Sequence, residues 1–129
     1  MKISVAIIAK NEEKDIRDCI MSFIDEVDEV VVIDNGSVDK TVSIAKETSK
    51  KVWVYPYETE SFTFSALRNY SIMKCKGDWI LYIDCDERMM TKNIREILEK
   101  QEEDVGALKV LITSRSTEGS KYYSKAFLR

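Results

Sequence analysis

The fold class is decided by one stretch of the sequence, Val30-Val31-Val32-Ile33-Asp34-Asn35-Gly36-Ser37. Its first half is β-branched throughout, which is typical of a strand buried on both faces of a sheet. Asn35-Gly36 is also a strong hairpin signal. A hairpin needs a second strand, however, and the next residues have the pattern of a helix start, with Asp39 as the expected cap. The stretch therefore predicts a strand, a loop and a crossover helix.

The same alternation continues along the whole chain. Apolar runs predict strands at 3–8, 30–33, 52–55, 79–83 and, more weakly, 107–112. Helical spacing predicts a helix from about Asn11 with an apolar face of Ile16, Cys19, Ile20, Phe23, Ile24 and Val27. It predicts three more helices, at 39–47, at 62–73 with Gly77 as the cap, and after Thr91. Such alternation favours an α/β fold with a mostly parallel sheet and helices on both faces, in three α/β/α layers.

The last segment of the sequence has a different character. We expect residues 1–112 to form the main domain and residues 113–129 to begin a further part of the same domain. Residues 122–129 have the pattern of a strand that begins as the sequence stops. An unpaired strand edge there would favour association with a second copy of the chain. Residues 58–62 have no clear period and predict a loop.

Composition excludes several classes of function. A net charge of −3 gives no basic footprint for nucleic acid. The three cysteines fit neither a disulfide framework nor a zinc-ligand spacing, and no run has the length of a membrane span, so we expect a cytoplasmic protein. Membrane contact is expected only through segments outside this sequence. Without histidine there is no Ser-His-Asp or Cys-His site, and no glycine-rich phosphate loop or dinucleotide fingerprint occurs.

Unusual polar residues follow the predicted strands. Asn11 and Glu12 come after the first strand, Asp34 ends the second, and Asp84 and Asp86 follow the fourth. In open α/β sheets, ligands bind beyond the carboxyl ends of the strands. Several carboxylates at one edge repel one another unless a cation or a ligand donor group compensates them. The pattern therefore indicates a ligand site with a cation.

The Asp84-Cys85-Asp86 run is the best candidate for a metal site. In extended backbone the two carboxylates share one face while Cys85 faces the other way. Such hard oxygen donors suit Mg²⁺ or Mn²⁺, which fill their other positions with water and phosphate. The alternative is an acidic turn that leads into the next helix. Arg68 has two interpretations as well, an exposed side chain or a cation for a diphosphate.

Four motifs together resemble family 2 glycosyltransferases, which have the GT-A fold. The motifs occur in the family's order and spacing over roughly the first ninety residues. They are residues 3–13 (ISVAIIAKNEE), 30–41 (VVVIDNGSVDKT), 66–69 (ALRN) and 77–87 (GDWILYIDCDE). The Asp-x-Asp-Glu form is most similar to the bacterial branch that glycosylates lipopolysaccharide cores, other envelope glycans or peptides.

The resemblance implies a role for each matching residue. Ala9, Asn11 and Glu12 would line a nucleotide-sugar pocket that also includes Asn35. Asp34 would contact the base, commonly uracil, and Arg68 would face the diphosphate. Asp84 would meet the ribose or the metal shell, and Asp86 would be the main ligand of Mn²⁺ or Mg²⁺. The implied reaction is inverting transfer of a sugar, usually UDP-linked, to a glycan, lipid-linked or peptide acceptor.

The chain departs from the family pattern at two positions. Asn35 stands where a second acid is common, and Lys40 stands where a glycine is common. The general base usually comes from beyond the metal motif, and no motif surrounds Glu118, so no catalytic residue is assigned. We therefore expect the donor-binding part of an enzyme that is inactive in isolation. One alternative is a non-catalytic domain of the same fold; another, a nucleotidyltransferase, lacks its expected glycine-rich loop.

Overall fold

The computed structural model describes residues 1–57, 63–114 and 121–129, and strands and helices alternate through them as far as the fourth strand. The elements are β1 (Ile3–Ala9), α1 (Ile16–Met21), β2 (Glu29–Asp34), α2 (Thr41–Thr48), β3 (Val52–Pro56), α3 (Phe64–Lys74), β4 (Trp79–Tyr82), β5 (Glu87–Met89), α4 (Ile94–Glu99), β6 (Ala107–Ser114) and β7 (Lys121–Leu128). A short 3₁₀ turn, Ile24–Glu26, follows α1. The loop predicted at 58–62 lies outside the described residues.

All seven strands form one mixed sheet in the order β3-β2-β1-β4-β7-β6-β5. The pairs β1–β2, β1–β4 and β2–β3 are parallel, whereas β7 and β6 join β4 and β5 through antiparallel pairs. The chain leaves β1 towards β2 and β3, and then crosses back to the other side of β1 to form β4. This reversal makes the carboxyl ends of β1 and β4 a switch point, where ligands of open α/β sheets bind.

Strand β2 shows why helices cover both faces of the sheet. All six of its residues are buried. Val30 and Val32 belong to the large core that includes Ile16 of α1. Val31 packs on the opposite face in a smaller core with Leu67 of α3. The predicted α/β fold with helices on both faces of the sheet is thus confirmed, because successive residues of β2 serve opposite layers.

The first helix begins later than the sequence predicted. The helix expected from about Asn11 starts at Ile16. Asn11 has a left-handed backbone with φ of 53°, and its N–H donates to Ser37 Oγ at 2.9 Å. Bonds to the neighbouring loop therefore hold this segment out of the helix. The predicted apolar face itself is buried, from Ile16 to Val27.

The third helix also differs from its prediction. Thr63 caps it, since its Oγ1 accepts the N–H of Ala66 at 3.3 Å. Met73, the last residue of the predicted range 62–73, is 76% exposed, whereas Leu67 and Ser71 are buried. The predicted cap at Gly77 is wrong, because the helix ends at Lys74.

Two further helix starts depend on side chains. The cap of α2 predicted at Asp39 is one residue early, because Lys40 is the N-cap; Asp39 Oδ1 still accepts the N–H of Thr41, the first residue of α2, at 2.9 Å. The predicted cap at Thr91 is wrong: its Oγ1 accepts the N–H of Leu111 at 2.7 Å and so ties the chain after β5 to β6. The N–H of Ile94, where α4 begins, donates instead to Glu26 Oε1 at 2.8 Å.

The last strand lies inside the sheet. Phe127 of β7 is fully buried and pairs with Leu81 of β4 on one side and Leu108 of β6 on the other. The unpaired edge that was expected there is absent at Phe127 and Leu128, because both strands flank these residues. This removes the reason given for self-association, and the oligomeric state stays a prediction. Among the described residues, no helix is long and apolar enough to cross a membrane.

Gly77 provides a test of how β1 packs against the loop before β4. A Cβ added at Gly77 would lie 2.4 Å from Ser4 Oγ and 2.7 Å from the Ser4 backbone nitrogen. We expect Gly77→Ala to lower the free energy of unfolding by about 1–3 kcal/mol in urea denaturation, because the backbone of β1 cannot move aside. Gly106→Ala is the matched control, since nothing lies within 4 Å of its added Cβ. Equal stability of the two variants would contradict this packing.

Candidate functional site

The carboxyl ends of β1, β2 and β4 lie side by side at one edge of the sheet. Ala9 pairs with Asp34, and Ala6 pairs with Tyr82. The segments that follow these strands, 10–13, 35–39 and 83–86, therefore meet at the same edge, which we call the C-terminal edge. The sequence predicted that the polar residues after these strands would be brought together, and the contacts described below confirm it.

The first two segments are tied to each other by hydrogen bonds. Asn11 Oδ1 accepts the N–H of Val38 at 2.9 Å, in addition to the bond between its own N–H and Ser37. The N–H of Glu12 donates to Thr41 Oγ1 at 2.8 Å. Asparagine tolerates the left-handed backbone that this arrangement requires. Asn11 thus shapes the edge through its own backbone and side chain.

The carboxylate of Asp34 is buried at this edge, and the described residues satisfy only one of its two oxygens. Its side chain is buried, and its Oδ2 accepts the N–H of Ser37 at 3.2 Å. Its Oδ1 is also buried but has no hydrogen-bond partner among the described residues. A buried carboxylate oxygen without a donor is destabilising, and such atoms are uncommon in native folds. The neighbouring Asn35 is buried as well, and its N–H donates to Ala9 O at 2.9 Å.

The Asp84-Cys85-Asp86 run forms a turn, and the prediction of extended backbone is wrong there. The N–H of Glu87 donates to Asp84 O at 3.0 Å, which closes the turn between β4 and β5. The predicted opposite orientation of Cys85 is nevertheless present: its side chain is buried with Sγ 3.8 Å from Ile8 O, while Asp84 is exposed and Asp86 is partly exposed. Burial raises the pKa of the Cys85 thiol, so it stays protonated.

Glu12 shows that the acids of the three segments are close enough to interact. The pKa of Glu12 is raised, first by partial burial and then by the negative charges of Asp15, Asp86, Asp39 and Asp84. One acid thus senses carboxylates that follow all three strands. Asp15 is compensated, because Arg88 Nη2 lies 2.9 Å from its Oδ1.

Two residues to which the sequence analysis gave no role complete the surroundings of the acidic turn. Glu87 is buried, and its Oε1 accepts the N–H of Asp84 at 2.7 Å. Lys125 of β7 forms an ion pair with Glu87 and lies 3.4 Å from Asp84 Oδ2. No local pattern marks Lys125, since it reaches Asp84 across 41 residues of sequence. Only the antiparallel placement of β7 beside β4 brings them together.

Arg68 reaches the same place from α3. Its guanidinium carbon lies 4.3 Å from the centre of the Tyr82 ring, a cation–π contact. Burial and then the charge of Asp84 raise the pKa of Tyr82 to about 12. The exposed Arg68 is therefore next to the acidic turn.

The donor atoms of the turn suit a hard divalent cation. Among residues 1–57, 63–114 and 121–129, no group of three or more acid, cysteine or histidine side chains could by itself hold a metal ion. Asp84 and Asp86 offer carboxylate oxygens, and Mg²⁺ and Mn²⁺ usually take one or two of these together with water and phosphate oxygens. The pair thus fits an ion that is bound jointly with a phosphate ligand.

Comparison with known proteins gives a consistent result. The family model described as Glycosyl transferase family 2 matches residues 4–127. An uncharacterised glycosyltransferase of Rickettsia typhi is 35% identical over 129 residues, which cover 95% of this chain and 43% of that protein. The chain therefore spans less than half the length of this relative.

Solved structures with bound nucleotides are similar to this fold. The structure of S. aureus TarS 1-349 in complex with UDP-GlcNAc has a TM-score of 0.63 and 30% identity, covering 77% of this chain and 29% of that chain. Glucosyl-3-phosphoglycerate synthase from Mycobacterium tuberculosis, in complex with Mn²⁺ and UDP-glucose, has a TM-score of 0.54 and 30% identity, covering 67% of this chain and 34% of that chain.

Proposed function

Because the chain belongs to glycosyl transferase family 2 and has its GT-A fold, we propose that its C-terminal edge binds a nucleoside-diphospho-sugar, with UDP as the nucleotide. The observation that carries this proposal is the unpartnered, buried Oδ1 of Asp34. The imide N–H of a uracil base is a donor that this oxygen lacks. The similar structures in complex with UDP-GlcNAc and UDP-glucose support the choice of nucleotide.

In this proposal the base and ribose occupy the side of the edge formed by β1 and β2. Asp34 accepts a hydrogen bond from the base, and Ala9, Asn11, Glu12 and Asn35 line the pocket. The bonds from Asn11 to Ser37 and Val38 hold the pocket in place before the nucleotide binds. Such preorganisation lowers the entropic cost of binding.

The diphosphate occupies the side formed by the acidic turn. Asp86 is the main metal ligand and Asp84 meets the ribose or the metal shell, as in the Asp-x-Asp motif of the bacterial branch. When bound, Mn²⁺ or Mg²⁺ neutralises the charge that develops on the departing nucleoside diphosphate. Arg68, placed beside the turn by its contact with Tyr82, binds the diphosphate through its guanidinium.

Sugar transfer is a proposal for a whole protein of which this domain forms the donor-binding part. The reaction would invert the anomeric centre and would place the sugar on an envelope glycan, a lipid-linked acceptor or a peptide, on the cytoplasmic side. Residues 113–129 would begin the acceptor side of the domain. No base is assigned, and Glu118 lies outside the described residues. The alternative, a non-catalytic nucleotide-sugar-binding domain, shares the donor site, so a transfer assay separates the two.

Replacing Asp34 tests the base contact. Asp34→Asn keeps an oxygen that can accept the N–H of Ser37. It removes the negative charge and places an amide NH₂, which cannot accept a hydrogen bond, where the base donates. We expect the affinity for UDP in calorimetry to fall about tenfold or more, because a buried charged hydrogen bond is lost. Asp104→Asn, the same change at an exposed loop position, is the control and should bind as the wild type does. A folded Asp34→Asn chain with unchanged affinity would contradict the assignment.

Replacing Asp86 tests the metal assignment separately. We expect Mn²⁺ to strengthen UDP binding by the wild-type chain, and Asp86→Ala to remove this gain, because the main carboxylate ligand is gone. Calorimetric titrations of both chains with UDP, in EDTA and in Mn²⁺, measure this gain in affinity. Asp104→Ala should keep the gain. If Asp86→Ala keeps it too, Asp86 is not the main ligand.

A further inference from the structure

Lys125 lies where three features of the acidic turn meet. Its ammonium forms an ion pair with Glu87, lies 3.4 Å from Asp84 Oδ2, and is 5.1 Å from the centre of the Tyr82 ring. Its side chain is 21% exposed, so most of it is covered and part of it still faces solvent. The register of β7 fixes the position of Lys125, because β7 is paired with β4 on one side and with β6 on the other.

The ion pair with Glu87 accounts for only part of this arrangement. The Glu87 side chain is 3% exposed, and a buried carboxylate needs a cation close by. Asp84, by contrast, is 51% exposed, so water can solvate it without help. Lys125 nevertheless extends to Asp84 as well. An ammonium has three donors, and Glu87 and Asp84 use at most two of them.

The balance of charge at the turn indicates what the remaining N–H donor of Lys125 could bind. Glu12, Asp84, Asp86 and Glu87 are acids, whereas Arg68 and Lys125 are the cations against the Tyr82 ring. A nucleoside diphosphate adds further negative charge to this edge. Arg68 and Lys125 are two fixed cations that offset part of the repulsion between these acids and that ligand.

We propose that Lys125 is a diphosphate-binding residue, whose ammonium holds Asp84 in the free chain and binds a diphosphate oxygen when the nucleotide enters. The inference rests on the proposed function and adds a residue from β7 to a site otherwise built from β1, β2, β4 and α3. It also gives the free chain a cation at the turn before any divalent ion binds.

Comparison of UDP with uridine tests this role, because uridine has the base and ribose but no phosphate. We expect Lys125→Met to weaken UDP binding about tenfold in EDTA, as loss of one charge-assisted hydrogen bond would, and to leave uridine binding unchanged. Lys125→Arg should recover part of the loss. Lys109→Met is the matched control: Lys109 pairs with Ala126, so its side chain lies on the opposite face of the sheet from Lys125.

A second variant covers the case in which Lys125→Met fails to fold with Glu87 uncompensated. The double variant Lys125→Met with Glu87→Gln has no buried charge at this position and should also lose UDP affinity while keeping uridine. Unchanged UDP affinity, or equal losses for UDP and uridine, would overturn the inference and leave Lys125 a structural counter-ion. A wild-type chain that binds neither compound would overturn the proposed function, and the inference with it.

Discussion

Parallel pairing of β1 with β2 on one side and β4 on the other is the constraint on which the rest of the structure depends. This pairing sets Ala9 beside Asp34 and brings the acidic turn after β4 to the same edge. The crossing of the chain from one side of β1 to the other also places α3 on the opposite face from α1, so Arg68 approaches the turn from a different layer. One register of three strands thus assembles a site from residues that are far apart in sequence.

The two ends of β2 show that the fold satisfies one buried acid fully and another only in part. Glu29 and Asp34 are both buried acids. Glu29 is satisfied within the fold, since Ser4 Oγ donates to it at 2.6 Å, Lys2 lies 3.6 Å away and the N–H of Lys76 also donates. Asp34 keeps an unpartnered oxygen. A polar group that the fold leaves unsatisfied at a sheet edge is typical of a ligand site.

The gathering of acids and every strand except β5 were predictable from the sequence, whereas β5 and several contacts that complete the site were not. Apolar runs such as Val30–Ile33 have a strong local signal, and the order of strand and helix fixes which ends meet. Three contacts join residues that are more than 40 positions apart in sequence. They are Lys125 with Asp84, the N–H of Ile94 with Glu26, and Gly77 with Ser4. The sequence predicted extended backbone at Asp84, where the structure has a turn. A backbone hydrogen bond from the N–H of Glu87 closes this turn, and the pattern of apolar residues does not reveal such a bond. The resemblance supplied the roles of single residues, and these stay predictions.

The central claim is that the C-terminal edge of the sheet binds a nucleoside diphosphate together with a divalent cation. Amide spectra of the ¹⁵N-labelled chain, recorded with UDP and traces of paramagnetic Mn²⁺, test it most directly. The account predicts that signals of residues 9–13, 34–38 and 84–87 shift with UDP and then lose intensity with Mn²⁺, while those of residues 28–30 and 76–78, at the opposite end, keep most of theirs. Signal loss centred on 28–30 and 76–78, or no change at either end in a folded chain, would contradict it.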